Sequence, residues 1–181
     1  MSARYIVQPG NLPRDRANEV CAQCHSGVGQ SVQPAFTYQP GEPLSDYIRL
    51  SNRADDTRND DPHAANQLAR LMKSRCYQGS ENLTCASCHD PHREERGELK
   101  LFTQRCAKCH ESSDCKLQPT HPQIVAERCV ECHMPSRRDV EGVMQTPEGE
   151  LLPSLRDHYI KVWPEVAEQV LSKVARPSKE Q

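Results

Sequence analysis

The chain has 181 residues, a length that suits one domain, but only 35% of them are hydrophobic and 4% aromatic, with a mean hydropathy of -0.82. That composition excludes a conventional hydrophobic core and by itself lies close to the disordered range. The formal net charge is only -2 and no basic patch stands out, which argues against a nucleic-acid partner, and no apolar run approaches the roughly 20 residues that span a bilayer.

Residues 1 to 13 are polar and broken by Pro9, Gly10 and Pro13, so residues 1–14 read as an extended arm. A short helix is expected from Asp15, carrying Val20 and the pentapeptide CAQCH at Cys21 to His25. From Ser26 to Asp61 the pattern is loop, punctuated by Gly27, Gly29, Pro34, Pro40, Gly41 and Pro43. A loop that long usually wraps something or works as a site. Its acidic end, Asp55, Asp56, Asp60 and Asp61, lacks the Gly and terminal Glu of a calcium-binding EF-hand loop and reads as a solvated face.

Residues 62 to 77 are expected to be helical, opened by Pro62, with Ala65, Leu68, Leu71 and Met72 on one stripe. Three further pentapeptides follow in close succession: CASCH at Cys85 to His89, CAKCH at Cys106 to His110 and CVECH at Cys129 to His133. The first stands apart from these three in the sequence, and nothing but the pentapeptide repeats, so the chain is not a solenoid. A second irregular stretch runs through Pro135, Gly142, Pro147, Gly149 and Pro153. A closing helix then starts at Pro164 and carries Val166, Val170 and Val174 with Ala167 and Leu171 beside them, most simply a packing face and alternatively a contact for a partner.

CxxCH is the attachment signature of c-type haem. Two thiols three positions apart lie on one helical turn and add across the two vinyl groups of one porphyrin, and the histidine that follows ligates its iron. Paired CxxC motifs also build zinc sites. Zinc does not require the fifth residue, however, and with 8 histidines in 181 residues a His after all four pairs has a chance probability on the order of 10⁻⁵ or less. The chain also lacks the glycines of CxxCxGxG zinc modules. The reading is therefore four haem c groups, held by Cys21, Cys24, Cys85, Cys88, Cys106, Cys109, Cys129 and Cys132 and ligated by His25, His89, His110 and His133. Four apolar porphyrin faces replace the missing core, and the apoprotein is not expected to fold.

Of the 10 cysteines, the motifs leave Cys76 and Cys115, which are expected to form a disulfide, with two buried thiols as the bland alternative. Haem of this type is attached outside the cytoplasm, so the expected location is periplasmic or extracellular. The opening MSARYIVQPGNL lacks the apolar stretch of a signal peptide. The chain thus reads as having lost its leader, as a segment of a longer exported protein, or as travelling with an exported partner.

Four histidines remain outside the motifs, His63, His92, His121 and His158, matching the iron count and fitting bis-histidine coordination. His92 follows His89 too closely to cross its own haem and would serve a neighbour. Met72, Met134 and Met144 are competing sixth ligands, and Met134 likewise follows His133 too closely. A compact chain of this length has a radius of gyration of roughly 16 Å, so four haems within it stand close together.

The segments VCAQCH, SRCYQGSENLTCASCHDPH, CVECHMP and DHYI resemble the bacterial multihaem c-type cytochromes related to the tetrahaem acceptor of hydroxylamine oxidoreductase. They are most similar to the haem block of longer proteins that also carry tetratricopeptide repeats. The resemblance covers roughly residues 15 to 162 and implies that His63, His92 and His158 are distal ligands; His121 completes the set by the same count. The longer relatives have further motifs upstream and this chain has none.

The expectation is a mostly α protein with long irregular loops in which the haems form the core: a tetrahaem domain at 15–162, then a C-terminal amphipathic helix and tail at 163–181. It is read as an electron carrier between redox-partner proteins, with no catalytic residue assigned. One rival is an oxidoreductase acting on a small nitrogen or sulfur compound at a five-coordinate haem. The other is an electron-conducting subunit of a filament or larger complex.

Overall fold

The structure, a computed structural model, describes residues 6–26, 29–50, 67–138, 144–151 and 154–175. His63, Pro62, Ala65 and the acidic run at Asp55 to Asp61 lie outside them. Helices are the main regular elements, joined by small antiparallel sheets.

Helix α1 spans Arg14–His25, as the sequence leads one to expect, with Asp15 in its first turn, where a negative charge suits the helix dipole. Its buried positions are Ala17, Asn18 and Ala22, a small and partly polar face that lets neighbouring backbones approach. The irregular stretch after it is more ordered than expected: β1 (Gly29–Ser31) pairs antiparallel with β2 (Ile48–Leu50), and a 3-10 turn at Leu44–Asp46 precedes β2. Leu44 is 1% exposed and its N–H donates to Glu19 on α1 at 3.3 Å, so this loop docks on the helix that carries the first motif. Three-residue strands among prolines leave no readable alternation.

The continuous helix expected up to residue 77 is two: α2 (Gln67–Met72) and α3 (Arg75–Gln78). The break is Ser74, fully buried with an extended backbone. Its hydroxyl donates to the His158 carbonyl at 3.0 Å and accepts the Ile160 N–H at 2.8 Å, tertiary bonds that a continuing helix would forgo. Helices α4 (Cys85–Cys88), α5 (Leu99–Cys106), α6 (Pro122–Glu127) and α7 (Cys129–His133) follow. Helix α1 packs on α4, α4 on α5, and α5 on α6 and α7.

The second irregular stretch also holds strands, β3 (Ser136–Arg138) paired with β6 (Ser154–Arg156) and β4 (Met144–Thr146) with β5 (Gly149–Leu151). The final helix α8 (Pro164–Ala175) rests on α7 and buries Val170. No helix among the described residues is long and apolar enough to cross a membrane.

The apolar core is thin. Among the described residues nine hydrophobic side chains are buried: Ala17, Ala22, Leu44, Leu71, Tyr77, Ile124, Val125, Val130 and Val170.

Candidate functional site

Every CxxCH pair falls on a helical turn. The first ends α1, the second is α4, and the fourth is α7. The third begins at the last residue of α5 and continues in a turn closed by the Cys109 and His110 N–H groups on the Cys106 carbonyl, both at 3.1 Å. The two thiols of each motif thus share one turn. Cysteine is ordinarily among the most buried residue types, yet none of these eight is buried: Cys21, Cys24 and Cys109 are exposed and the rest half-buried. The polypeptide presents its thiols instead of packing them.

Motifs one and two meet. The Cys21 and Cys85 thiols are close enough to shift each other, Cys21 down to about 6 and Cys85 up. Burial raises Cys106 to about 11 and moves Cys88, Cys129 and Cys132 in the same direction.

The histidines are oriented by their second nitrogens. His158 Nδ1 lies 3.1 Å from the Arg156 carbonyl, and His133 Nδ1 lies 2.9 Å from the Lys161 carbonyl. A carbonyl accepts only from N–H, so each Nδ1 carries the proton and Nε2 keeps its lone pair, the arrangement usual for metal-ligating imidazoles. Burial, joined for His89 by the charge of Arg105, lowers the pKa of His89 and His158 and so favours the neutral, ligating form. The His89 and His158 rings stand 6.1 Å apart, centroid to centroid, with planes 26° apart. That lies within the range of about 4.5–7 Å for a stacked ring pair, and it brings two of the expected ligand histidines together.

His121 Nδ1 is 2.8 Å from the Thr120 hydroxyl, and the His92 N–H donates to Asp90 at 3.0 Å. His110 faces Asp114 at 3.9 Å. His25 is exposed at the end of α1, within electrostatic reach of both His89 and His158.

Cys76 and Cys115, the expected disulfide partners, are half-buried and unjoined in the structure, as are all ten cysteines. They face different motifs. Cys76 on α3 lies within electrostatic reach of Cys88, Cys106 and Cys109, whereas Cys115 lies near Cys129 and Cys132.

Several residues that support the motifs escape a reading by motif. Arg70 and Asp157 form a buried two-pronged ion pair beside His158, with Nε to Oδ1 at 2.9 Å and Nη2 to Oδ2 at 2.5 Å. Glu95 and Arg105 form a second, at 2.6 and 2.5 Å, and Arg105 also donates to the Cys88 carbonyl at 2.6 Å. Polar residues three positions before two of the motifs, Asn18 and Thr103, are buried. The only signal available in the sequence was their recurrence at that offset.

Among the described residues no three side chains of His, Cys, Asp or Glu converge as a site for a bare metal ion, which a tetrahedral zinc centre would need. The donor set, accessible thiol pairs on single turns with imidazoles fixed through Nδ1, fits covalently attached haem. No family model, curated protein or solved structure matches the chain.

Proposed function

We propose that this chain is a tetrahaem c-type cytochrome, of the kind related to the tetrahaem acceptor of hydroxylamine oxidoreductase, that passes electrons between partner proteins outside the cytoplasm. The observation that carries the reading is the pairing of His89 with His158 at 6.1 Å, with the Nδ1 of His158 fixed on a backbone carbonyl. Cys85 and Cys88 would hold the second haem covalently, His89 would be its proximal ligand and His158 its distal one. His133, anchored on Lys161, would ligate the fourth haem from α7, with Cys129 and Cys132 as its attachment points.

When bound, each haem supplies an iron that cycles between the ferric and ferrous states and so carries one electron. The chain's residues set the conditions for that cycling. Two histidine ligands would favour a lower potential than a histidine and a methionine give, and would leave no open position for a substrate, which favours a carrier over an oxidoreductase. A thin apolar core among the described residues is what a polypeptide shows when it is built to cover porphyrin faces.

The test is the visible and electron paramagnetic resonance spectra of the oxidised holoprotein, followed by addition of carbon monoxide to the reduced form. Four haems per chain, all low-spin and unreactive to carbon monoxide, are the expected result. A high-spin haem that binds carbon monoxide would favour the oxidoreductase reading, and a chain isolated without covalent haem would overturn the proposal.

A further inference from the structure

We propose that Ser74 is a positioning residue for two histidines at once, His158 and the motif-four histidine His133, because it pins the one strap of backbone whose carbonyls orient both imidazoles; this rests on the haem reading above and adds a side chain that sets two irons together.

From Asp157 to Lys161 the chain is neither helix nor strand. Backbone groups outside regular structure still need partners where water is excluded, and here single atoms from distant parts of the chain supply them. The Asp157 N–H donates to the Pro135 carbonyl at 3.0 Å, and the Lys161 N–H to the His133 carbonyl at 3.4 Å. The Arg156 guanidinium donates to the Met134 carbonyl at 3.0 Å. The strap therefore lies along His133, Met134 and Pro135, where motif four ends.

Both imidazoles lean on this strap. His133 Nδ1 donates to the Lys161 carbonyl at 2.9 Å and His158 Nδ1 to the Arg156 carbonyl at 3.1 Å, so the two acceptors stand at the two ends of one short segment. A bond of this kind fixes the ring and raises the basicity of the ligating nitrogen. A more basic ligand favours the ferric iron, and outer-shell hydrogen bonding is one of the protein's levers on potential.

Between the two acceptors the strap is held by Ser74. This residue is 0% exposed, at the break between α2 and α3. Its hydroxyl donates to the His158 carbonyl at 3.0 Å and accepts the Ile160 N–H at 2.8 Å. Without the hydroxyl both groups lose a partner, and the path from Arg156 to Lys161 is no longer fixed. Ser74 touches neither imidazole and acts on both through the backbone.

The experiment uses the holoprotein and its Ser74→Ala variant. Haem content is measured first, by mass and by the pyridine haemochrome, and a redox titration follows at the visible bands. Two of the four midpoints are expected to rise and two to stay, with every haem still low-spin because all ligands remain. Ser74→Thr, which keeps the hydroxyl, is expected to leave all four midpoints in place. One shifted midpoint, none, or all four overturns the proposal and leaves the haem reading intact. A native chain with fewer than four covalent haems overturns the haem reading itself. Amide hydrogen exchange of the native holoprotein gives a readout that needs no variant. Ile160 and Lys161 are expected to be protected to the same degree, as one opening unit, and free exchange at either overturns the proposal.

Discussion

Arg70 and Asp157, 87 residues apart in the chain, meet as a two-pronged ion pair with 2% and 0% of their side chains exposed, and Asp157 directly precedes His158. Asp157 also accepts the Tyr159 N–H at 2.8 Å, while Ser74 holds the His158 carbonyl and the Ile160 N–H. The segment that presents His158 is thus clamped on both sides of the histidine. Removing one partner of a buried ion pair costs about 3–5 kcal/mol. Arg70→Ala or Asp157→Ala is expected to lower holoprotein stability by that amount, and the double change Arg70→Met with Asp157→Leu to recover most of it. Denaturant midpoints read the difference; single variants no worse than an exposed-pair variant would refute the clamp.

His158→Ala tests the ligand assignment directly. Four haems are expected to remain attached, because the thioethers are untouched, while one in four turns high-spin and binds carbon monoxide. An unchanged low-spin spectrum would remove His158 from the ligand set.

The Glu95–Arg105 pair makes an acid-range prediction. Its hydrogen bond to Arg105 holds Glu95 at about 2, well below the ordinary 4.5. A depressed carboxylate stabilises the folded state above its unfolded pKa, and that stabilisation is lost as pH falls from about 4.5 toward 2. The melting temperatures of the native protein and Glu95→Gln should therefore differ most above pH 5 and converge toward pH 2. A difference that stays constant across that range would show that the carboxylate's ionisation is not what stabilises.

Cys76 and Cys115 are free thiols facing different motifs. Alkylation of the denatured, unreduced holoprotein is expected to modify two cysteines, with the other eight occupied by thioethers. No modification would mean that the two are joined after all.

The nine apolar side chains buried among the described residues make a thin core for a chain of this size, which on the proposed reading the haems would complete. Chain produced without haem attachment is expected to show no cooperative thermal transition by circular dichroism, and a sharp one would overturn that expectation.

The four CxxCH motifs, and the haem attachment proposed for them, are legible in the sequence because they are local. Two thiols one turn apart and the next histidine need nothing beyond five consecutive residues, and the helices at Arg14–His25 and Pro164–Ala175 follow from equally short-range signals. The thin core is legible from composition for the same reason. What the tertiary structure alone decided is how the motifs meet. Motif one looks isolated in the chain, yet Asn18 bonds to Cys85 across 67 residues. The helix breaks at Ser74 because a hydroxyl is needed by residues more than eighty positions later. Bonds of this kind join single polar atoms at arbitrary separations, leave no periodic trace along the chain, and exist only once the helices that carry them are packed together.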